Sequence, residues 1–299
     1  MYDGLVVVDK PAGFTSHDIV AKLRKAFGQK RVGHAGTLDP DATGVLLVGL
    51  GRVTRLLRYL QETTKVYRGT VSFGVATDTL DAAGAILERR PMPVTESAVS
   101  EAMLRFVGDL QQVPPMVSAL RVGGRRLHEL ARAGEEVERK SRPIRIDTFT
   151  LERFEPGPYP QATVLVECSS GTYIRSLAAD LGAALGGPAH LASLRRLRVG
   201  AFTSDEAHPL AAIEADPPGV LLTPLVAMRA LERTTVDAES ARAVAHGSVF
   251  PSVAFSVEGP GPYAVVDDRG TLLAVYERRG AALKPSVVLV QSPAEAAGP

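Results

Sequence analysis

Gly33-His34-Ala35-Gly36-Thr37-Leu38-Asp39-Pro40-Asp41-Ala42-Thr43-Gly44 places one carboxylate, Asp39, among residues with special backbone preferences. Glycine at 33, 36 and 44 permits a positive φ, Pro40 fixes its own φ, and Pro40 also drives Asp39 toward an extended conformation. A loop so constrained either aims its carboxylate at something or closes a tight turn in which Asp39 bonds a nearby amide. The stretch alone leaves both open, and its surroundings have to choose.

Upstream, Gly4 to Asp9 reads as a buried strand closed by the turn Lys10-Pro11-Ala12-Gly13. Ser16 then caps a helix through Phe27, with Ile19, Val20, Leu23, Ala26 and Phe27 on one stripe and Gly28 as the stop. Downstream come a strand at Val45 to Val48, a basic helix near Arg52 to Leu60, and strands at Lys65 to Phe73 and Ala162 to Cys168. A further helix, Thr172 to Leu185, follows Ser169-Ser170-Gly171. Strand candidates at Tyr263–Val266 and Leu272–Tyr276 flank Asp267-Asp268-Arg269-Gly270 as a hairpin, and Val287 to Val290 adds a third strand. A β module of this size is marginal alone and is expected to lean on its neighbour.

The chain has 299 residues, 45% of them apolar, enough for a packed core. Cys168 stands alone and the six histidines lack ligand spacing, so neither a disulfide framework nor a metal cluster is expected, and a reducing, cytoplasmic setting fits. The apolar run Leu5–Val8 is too short for a signal peptide, and no segment has the length of a membrane span. Net charge is +1, yet residues 1–70 carry eleven Lys/Arg against six Asp/Glu, and residues 200–299 carry seven against twelve. A basic front of this kind is compatible with a gripped polyanion and equally with solvated surface charge. Between 111 and 142, Arg121, Arg125, Arg126, Arg132, Arg139, Lys140 and Arg142 outnumber the four glutamates by three. That segment reads as a solvated loop or as an arm that closes on phosphates. Arg195, Arg196 and Arg198 add a second basic cluster.

Four pieces, Leu5-Val6-Val7-Val8-Asp9-Lys10-Pro11-Ala12-Gly13, the Gly33–Gly44 loop, Lys65-Val66-Tyr67-Arg68-Gly69 and Gly171-Thr172-Tyr173-Ile174-Arg175, stand in one order and spacing. Together they resemble the TruB family of tRNA pseudouridine-55 synthases. Thr77-Asp78-Thr79-Leu80-Asp81, Gln112-Val113-Pro114-Pro115-Met116 and Leu194-Arg195-Arg196-Leu197-Arg198-Val199-Gly200 extend the likeness, which is dense from about 4 to 200 and thinner from about 230. The resemblance implies an α+β fold with a catalytic domain over 1–229, built on a central mixed, mainly antiparallel sheet flanked by helices and loops. It also implies an RNA-binding arm at about 111–142, a small β-rich PUA-like RNA-binding domain over 230–291 and a tail over 292–299. The implied reaction isomerises one uridine in the TΨC stem-loop of tRNA, breaking the N1–C1′ bond and rejoining the base through C5. No cofactor and no metal is required, and the implied enzyme is a cytoplasmic monomer with no obligatory protein partner.

By the same resemblance Asp39 is the catalytic carboxylate, Arg175 its counter-ion and Tyr67 the aromatic beside the extruded base. A guanidinium can hold a carboxylate in one plane by two hydrogen bonds, and a carboxylate in a dry pocket needs that support because burial raises its pKa. His34 is expected to help hold the flipped nucleotide, Lys10 to support the site, Asp81 to lie near the base, and Arg125, Arg126 and Arg132 to bind RNA. Attack at C1′, addition to the pyrimidine and elimination are all open to Asp39. Three residues depart from the family pattern: Asp41, expected to face solvent, Val117 where a tyrosine is usual, and His128 in the arm. A scaffold that only binds RNA has no need of Asp39, Tyr67 and Arg175 together. A nucleoside or glycoside hydrolase wants a second positioned carboxylate, for which Asp41 is too close in sequence.

Overall fold

β1 (Gly4–Lys10) is buried on both faces, which is why it reads as an unbroken apolar run. Leu5 and Val7 point into one cluster, Val6 and Val8 into another, so the sheet built on it has a core on each side. The computed structural model describes residues 1–118, 121–122, 125–126 and 137–290. Arg132 and His128 of the expected arm, and the expected tail, lie outside the described residues.

After β1 come β2 (Val32–Ala35), β3 (Thr43–Leu50), β4 (Lys65–Phe73) and the pair β5 (Val75–Thr77) and β6 (Ile86–Arg89). They are followed by β7 (Gly108–Gln112), the pair β8 (Arg121–Val122) and β9 (Arg125–Arg126), β10 (Arg142–Glu155), β11 (Gln161–Cys168), β12 (Ala189–Val199), β13 (Phe202–Thr203) and β14 (His208–Pro209). Ten strands form one sheet along the path β14-β1-β3-β12-β4-β11-β10-β7, with β2 on β3 and β13 on β12. Its β1–β14 and β3–β12 pairings are parallel and the others antiparallel, the mixed, mainly antiparallel arrangement expected. Helix α1 (Ser16–Ala26) covers one half with Ile19, Val20 and Leu23. The other half lies under α3 (Glu96–Leu104) and α4 (Ile174–Ala184), through Val99, Met103, Leu177 and Leu181.

Four local readings change. The cap of α1 is Thr15, whose side chain accepts from the Asp18 amide in a capping box; Ser16 is the first helical residue and is buried. Gly33, His34 and Ala35 belong to β2 rather than to a loop, and Gly33 adopts no positive φ; Leu57 Cδ1 would lie 3.3 Å from any Cβ there. The basic helix is split into a 3₁₀ turn, Gly51–Arg55, and α2 (Leu57–Gln61). The helix expected from Thr172 starts at Ile174, because the Gln112 side chain takes both the N–H and the C=O of Tyr173, at 2.8 and 3.1 Å.

A second sheet contains β15 (Glu232–Thr235), β16 (Phe250–Pro251), β17 (Tyr263–Val266), β18 (Leu272–Arg279) and β19 (Ala282–Val288), in the order β15-β17-β18-β19-β16. The expected hairpin is β17–β18, whereas the third strand starts at Ala282, because β18 runs on to Arg279 and returns at once. One face of this sheet has its own core around Tyr263, Tyr276 and Val244. The other shares one cluster with the ten-stranded sheet, in which Ala264, Val266, Leu272, Val275, Val287 and Leu289 lie together with Leu5, Val7, Val45 and Leu47. Arg52 and Arg55 close the seam, donating to the Leu289 and Val288 carbonyls at 2.7 Å each.

Candidate active site

Where β4 and β12 lie side by side, the Asp39 loop and the first turn of α4 wall a cavity of about 340 Å³. Asp39, Tyr67, Arg175, Lys65 and Arg196 line it together. The loop leaves β2 at Gly36, with φ +83°, and enters β3 at Gly44, with φ +98°. Gly44 is required twice over, since a Cβ there would also stand 2.2 Å from the Arg196 carbonyl oxygen.

Arg175 meets Asp39 through two contacts, Nε to Oδ2 at 3.0 Å and Nη2 to Oδ1 at 3.1 Å. Its remaining N–H groups reach Asp81 Oδ2 at 3.3 Å, the Thr79 carbonyl at 2.9 Å and the Val117 carbonyl at 2.8 Å. Three hydrogen bonds and two ion-pair contacts thus surround the guanidinium, which explains how an arginine side chain only 6% exposed is tolerated. The departure at Val117 is absorbed here, because the contact uses the backbone. One cation faces two carboxylates, so the group is net negative. The Asp39 pKa is raised from its ordinary value: burial raises it most, Arg175 opposes, and Asp81 pushes it further up.

Asp81 is held in turn by Thr79 Oγ1 at 2.6 Å and by the Ala83 amide at 3.1 Å, in a turn where Leu80 takes φ +62°. Asp41 is exposed, and the second carboxylate of the site is Asp81, 42 positions along the chain from Asp39. Tyr67 is buried on β4, and burial raises its phenol, with Arg196 opposing. Lys10 is fully buried and donates to the Pro11 and Pro40 carbonyls at 2.9 and 2.8 Å, tying β1 to the loop from outside the cavity wall. His34 sits half-buried on β2, outside that wall, its pKa lowered by burial and then by Arg196. Arg125 is exposed in the β8–β9 hairpin, where Arg126 pairs with Arg121.

Two residues of the loop's setting escaped sequence reading. Ser16 Oγ accepts from the Leu38 amide at 3.0 Å and donates to the Leu38 carbonyl at 3.3 Å, fastening α1 to the residue before Asp39. Arg196 is 1% exposed and donates to the carbonyls of Val45, Thr37 and Gly36. The basic cluster it seemed to join is not free for phosphate. Arg195 holds Asp9 by two 2.9 Å bonds, and Arg198 pairs with Glu167.

Comparison with known proteins adds three findings. The model for "TruB family pseudouridylate synthase (N terminal domain)" matches residues 24–174, that for "tRNA pseudouridylate synthase B C-terminal domain" 175–216, and that for "tRNA Pseudouridine synthase II, C terminal" 231–290. The tRNA pseudouridine synthase B of Thermobifida fusca (strain YX) is 46% identical over 298 residues, covering 98% of this chain and 100% of that one. Its counterpart in Mycobacterium tuberculosis (strain ATCC 25618 / H37Rv) is 43% identical, covering 96% and 95%. In fold the chain is similar to a protein of an H/ACA RNP bound to a substrate RNA containing 2′-deoxyuridine, with a TM-score of 0.74, 22% identity and coverage of 97% and 86%.

Proposed function

The chain belongs to the TruB family of pseudouridylate synthases and is an isomerase that converts uridine to pseudouridine in tRNA; on that premise we propose that its target is uridine 55 of the TΨC loop and that Asp39 is the catalytic carboxylate. The observation that carries the assignment is the two-point Asp39–Arg175 contact on the wall of a cavity that also holds Tyr67. A nucleotide taken out of its stack enters such a cavity base first, where Tyr67 offers a surface to stack on and Asp39 a fixed anion beside the ribose. Arg175 orients the carboxylate and keeps it charged against burial, and Lys65 and Arg196 add two further cations to the cavity wall. Attack at C1′, addition to the base and elimination all use this one fixed anion.

In the same reading Asp81 positions Arg175 near the base, Lys10 sets the loop, His34 helps hold the flipped nucleotide, and Arg125, Arg126 and Arg132 grip phosphates. Residues 1–229 form the catalytic unit and 230–291 a PUA-like RNA-binding unit, in an enzyme that works as a cytoplasmic monomer without a protein partner. The test is tritium release from tRNA labelled at C5 of uridine, with pseudouridine mapped by position. Wild-type protein should modify position 55 and Asp39→Asn should modify nothing; turnover by Asp39→Asn would remove Asp39 from the chemistry.

A further inference from the structure

Arg196 is the largest side chain among those almost fully buried, and among the described residues it forms no ion pair with a carboxylate. An unpaired buried cation is costly unless its donors are satisfied. Here each of its three nitrogens donates to backbone: Nε to Val45 at 2.7 Å, Nη1 to Thr37 at 3.3 Å and Nη2 to Gly36 at 3.1 Å. Two of these carbonyls belong to the loop residues just before Leu38 and Asp39. On its other side Arg196 is the cross-strand partner of Tyr67 in the β12–β4 ladder and interacts with its phenol. Its own backbone runs parallel against Gly44, so the strand cannot shift without moving the far end of the Asp39 loop.

We propose that Arg196 is a positioning residue that locks the Asp39 loop and the Tyr67 phenol into one fixed arrangement. Only a planar fork with several donors can reach three carbonyls at once while lying across the ladder from Tyr67, so a lysine keeps the charge and loses the function. A residue that serves stability alone would lower the melting temperature and leave the turnover of the folded enzyme intact.

The inference rests on the reading of Tyr67 as a site residue, and a double-mutant cycle separates the two. Tyr67→Phe, Arg196→Met and the double variant are assayed by tritium release from C5-labelled tRNA, with tRNA affinity and melting measured on each. Arg196→Met is expected to lose about 10²-fold in kcat with KM for tRNA unchanged, the size of effect that a misplacement of about 1 Å produces. The double variant should lose little more than the worse single variant, because the two residues act as one unit. Multiplying losses, or a folded Arg196→Met with normal kcat, would overturn the inference while leaving Tyr67 in place. Full turnover by Tyr67→Phe would show that the phenol does no work and would overturn this inference alone, whereas full turnover by Tyr67→Leu, which removes the ring, would overturn the reading of Tyr67 as a site residue and this inference with it. Where Arg196→Met does not fold, Arg196→Lys goes through the same cycle with the same expected coupling.

Discussion

Asp39 and Asp81 share one guanidinium: Arg175 Nε lies 3.0 Å from Asp39 Oδ2 and Nη1 lies 3.3 Å from Asp81 Oδ2. The arrangement keeps the two carboxylates apart in role. Asp39 opens onto the cavity, while Asp81 is tied down by Thr79 and Ala83 and acts on Asp39 only through charge and through Arg175.

That sharing has a pH signature. Asp81 raises the Asp39 pKa, so Asp81→Asn should move the acid limb of kcat/KM to lower pH, since more acid is then needed before Asp39 protonates. Asn at 81 can keep the bonds from Thr79 and Ala83 through its carbonyl oxygen, so the shift reads charge rather than collapse. An acid limb that stays put or rises would show that Asp81 does not act on Asp39 electrostatically.

Adjacent residues at the start of α1 should part company. Thr15→Ala removes a helix cap and should cost about 1 kcal/mol with kcat unchanged. Ser16→Ala strips both partners from a buried Leu38 peptide, should cost about 1–3 kcal/mol, and should also slow turnover because Leu38 precedes Asp39. Denaturant melts and tritium release on the two variants decide it; equal kcat in both would count against the link between Ser16 and the loop.

This pair also marks how far the sequence could be read. Thr15 and Ser16 are both good caps, and only a contact 22 residues away decides which one is used. Lys65–Phe73 was legible to the residue because its buried positions alternate along a strand. The loop around Asp39 drew notice through its glycines and proline, but those left a tight turn equally open, and only the resemblance over the other motifs gave Asp39 a role. Arg196 was not, because a charged residue inside an arginine run is ordinarily a surface residue, and its acceptors are carbonyls about 150 positions upstream that only the parallel β3–β12 contact brings near. Gly33 was misread for the same reason: its neighbour, Leu57, is distant in sequence, and what matters there is room rather than φ.

Lys65 should make stability climb with alkaline pH. Its ammonium donates to the Gln61 and Thr63 carbonyls, and burial brings its pKa down from 10.5 to about 8. The folded state therefore sheds a proton near pH 8 that the unfolded chain keeps to about 10.5, so between those values the unfolded state binds more protons and stability rises with pH. Lys10, also lowered to about 8, adds to the same window. Melting temperatures taken across it should rise less steeply in Lys65→Met than in wild type, and an unchanged slope would rule Lys65 out as a source.

Arg125→Ala with Arg126→Ala should weaken tRNA binding most at low salt. Removing one phosphate-binding side chain reduces the slope of log K against log [salt] by about 1, so the curves of variant and wild type converge as salt rises. Filter binding at several salt concentrations measures this, and parallel curves would mean that these two arginines do not meet phosphate.

Truncation before Glu232 tests whether the second sheet can be dispensed with. Removing it would open the cluster that Leu5, Val7, Val45 and Leu47 share with Val266, Leu272, Val275 and Leu289. At about 1.5–3 kcal/mol for each large apolar side chain brought out of water, the destabilisation is comparable with the whole stability of a domain. Arg52 and Arg55 would also be deprived of the Leu289 and Val288 carbonyls. The truncated chain should therefore melt far below the full chain and bind hydrophobic dyes, while any fraction that remains folded keeps its single-turnover rate at saturating tRNA, since no residue of the second sheet lines the cavity. A truncated protein with unchanged melting would mean that the seam contributes nothing. A stable one without single-turnover chemistry would mean that the second sheet acts on the Asp39 site through the β1–β3 core.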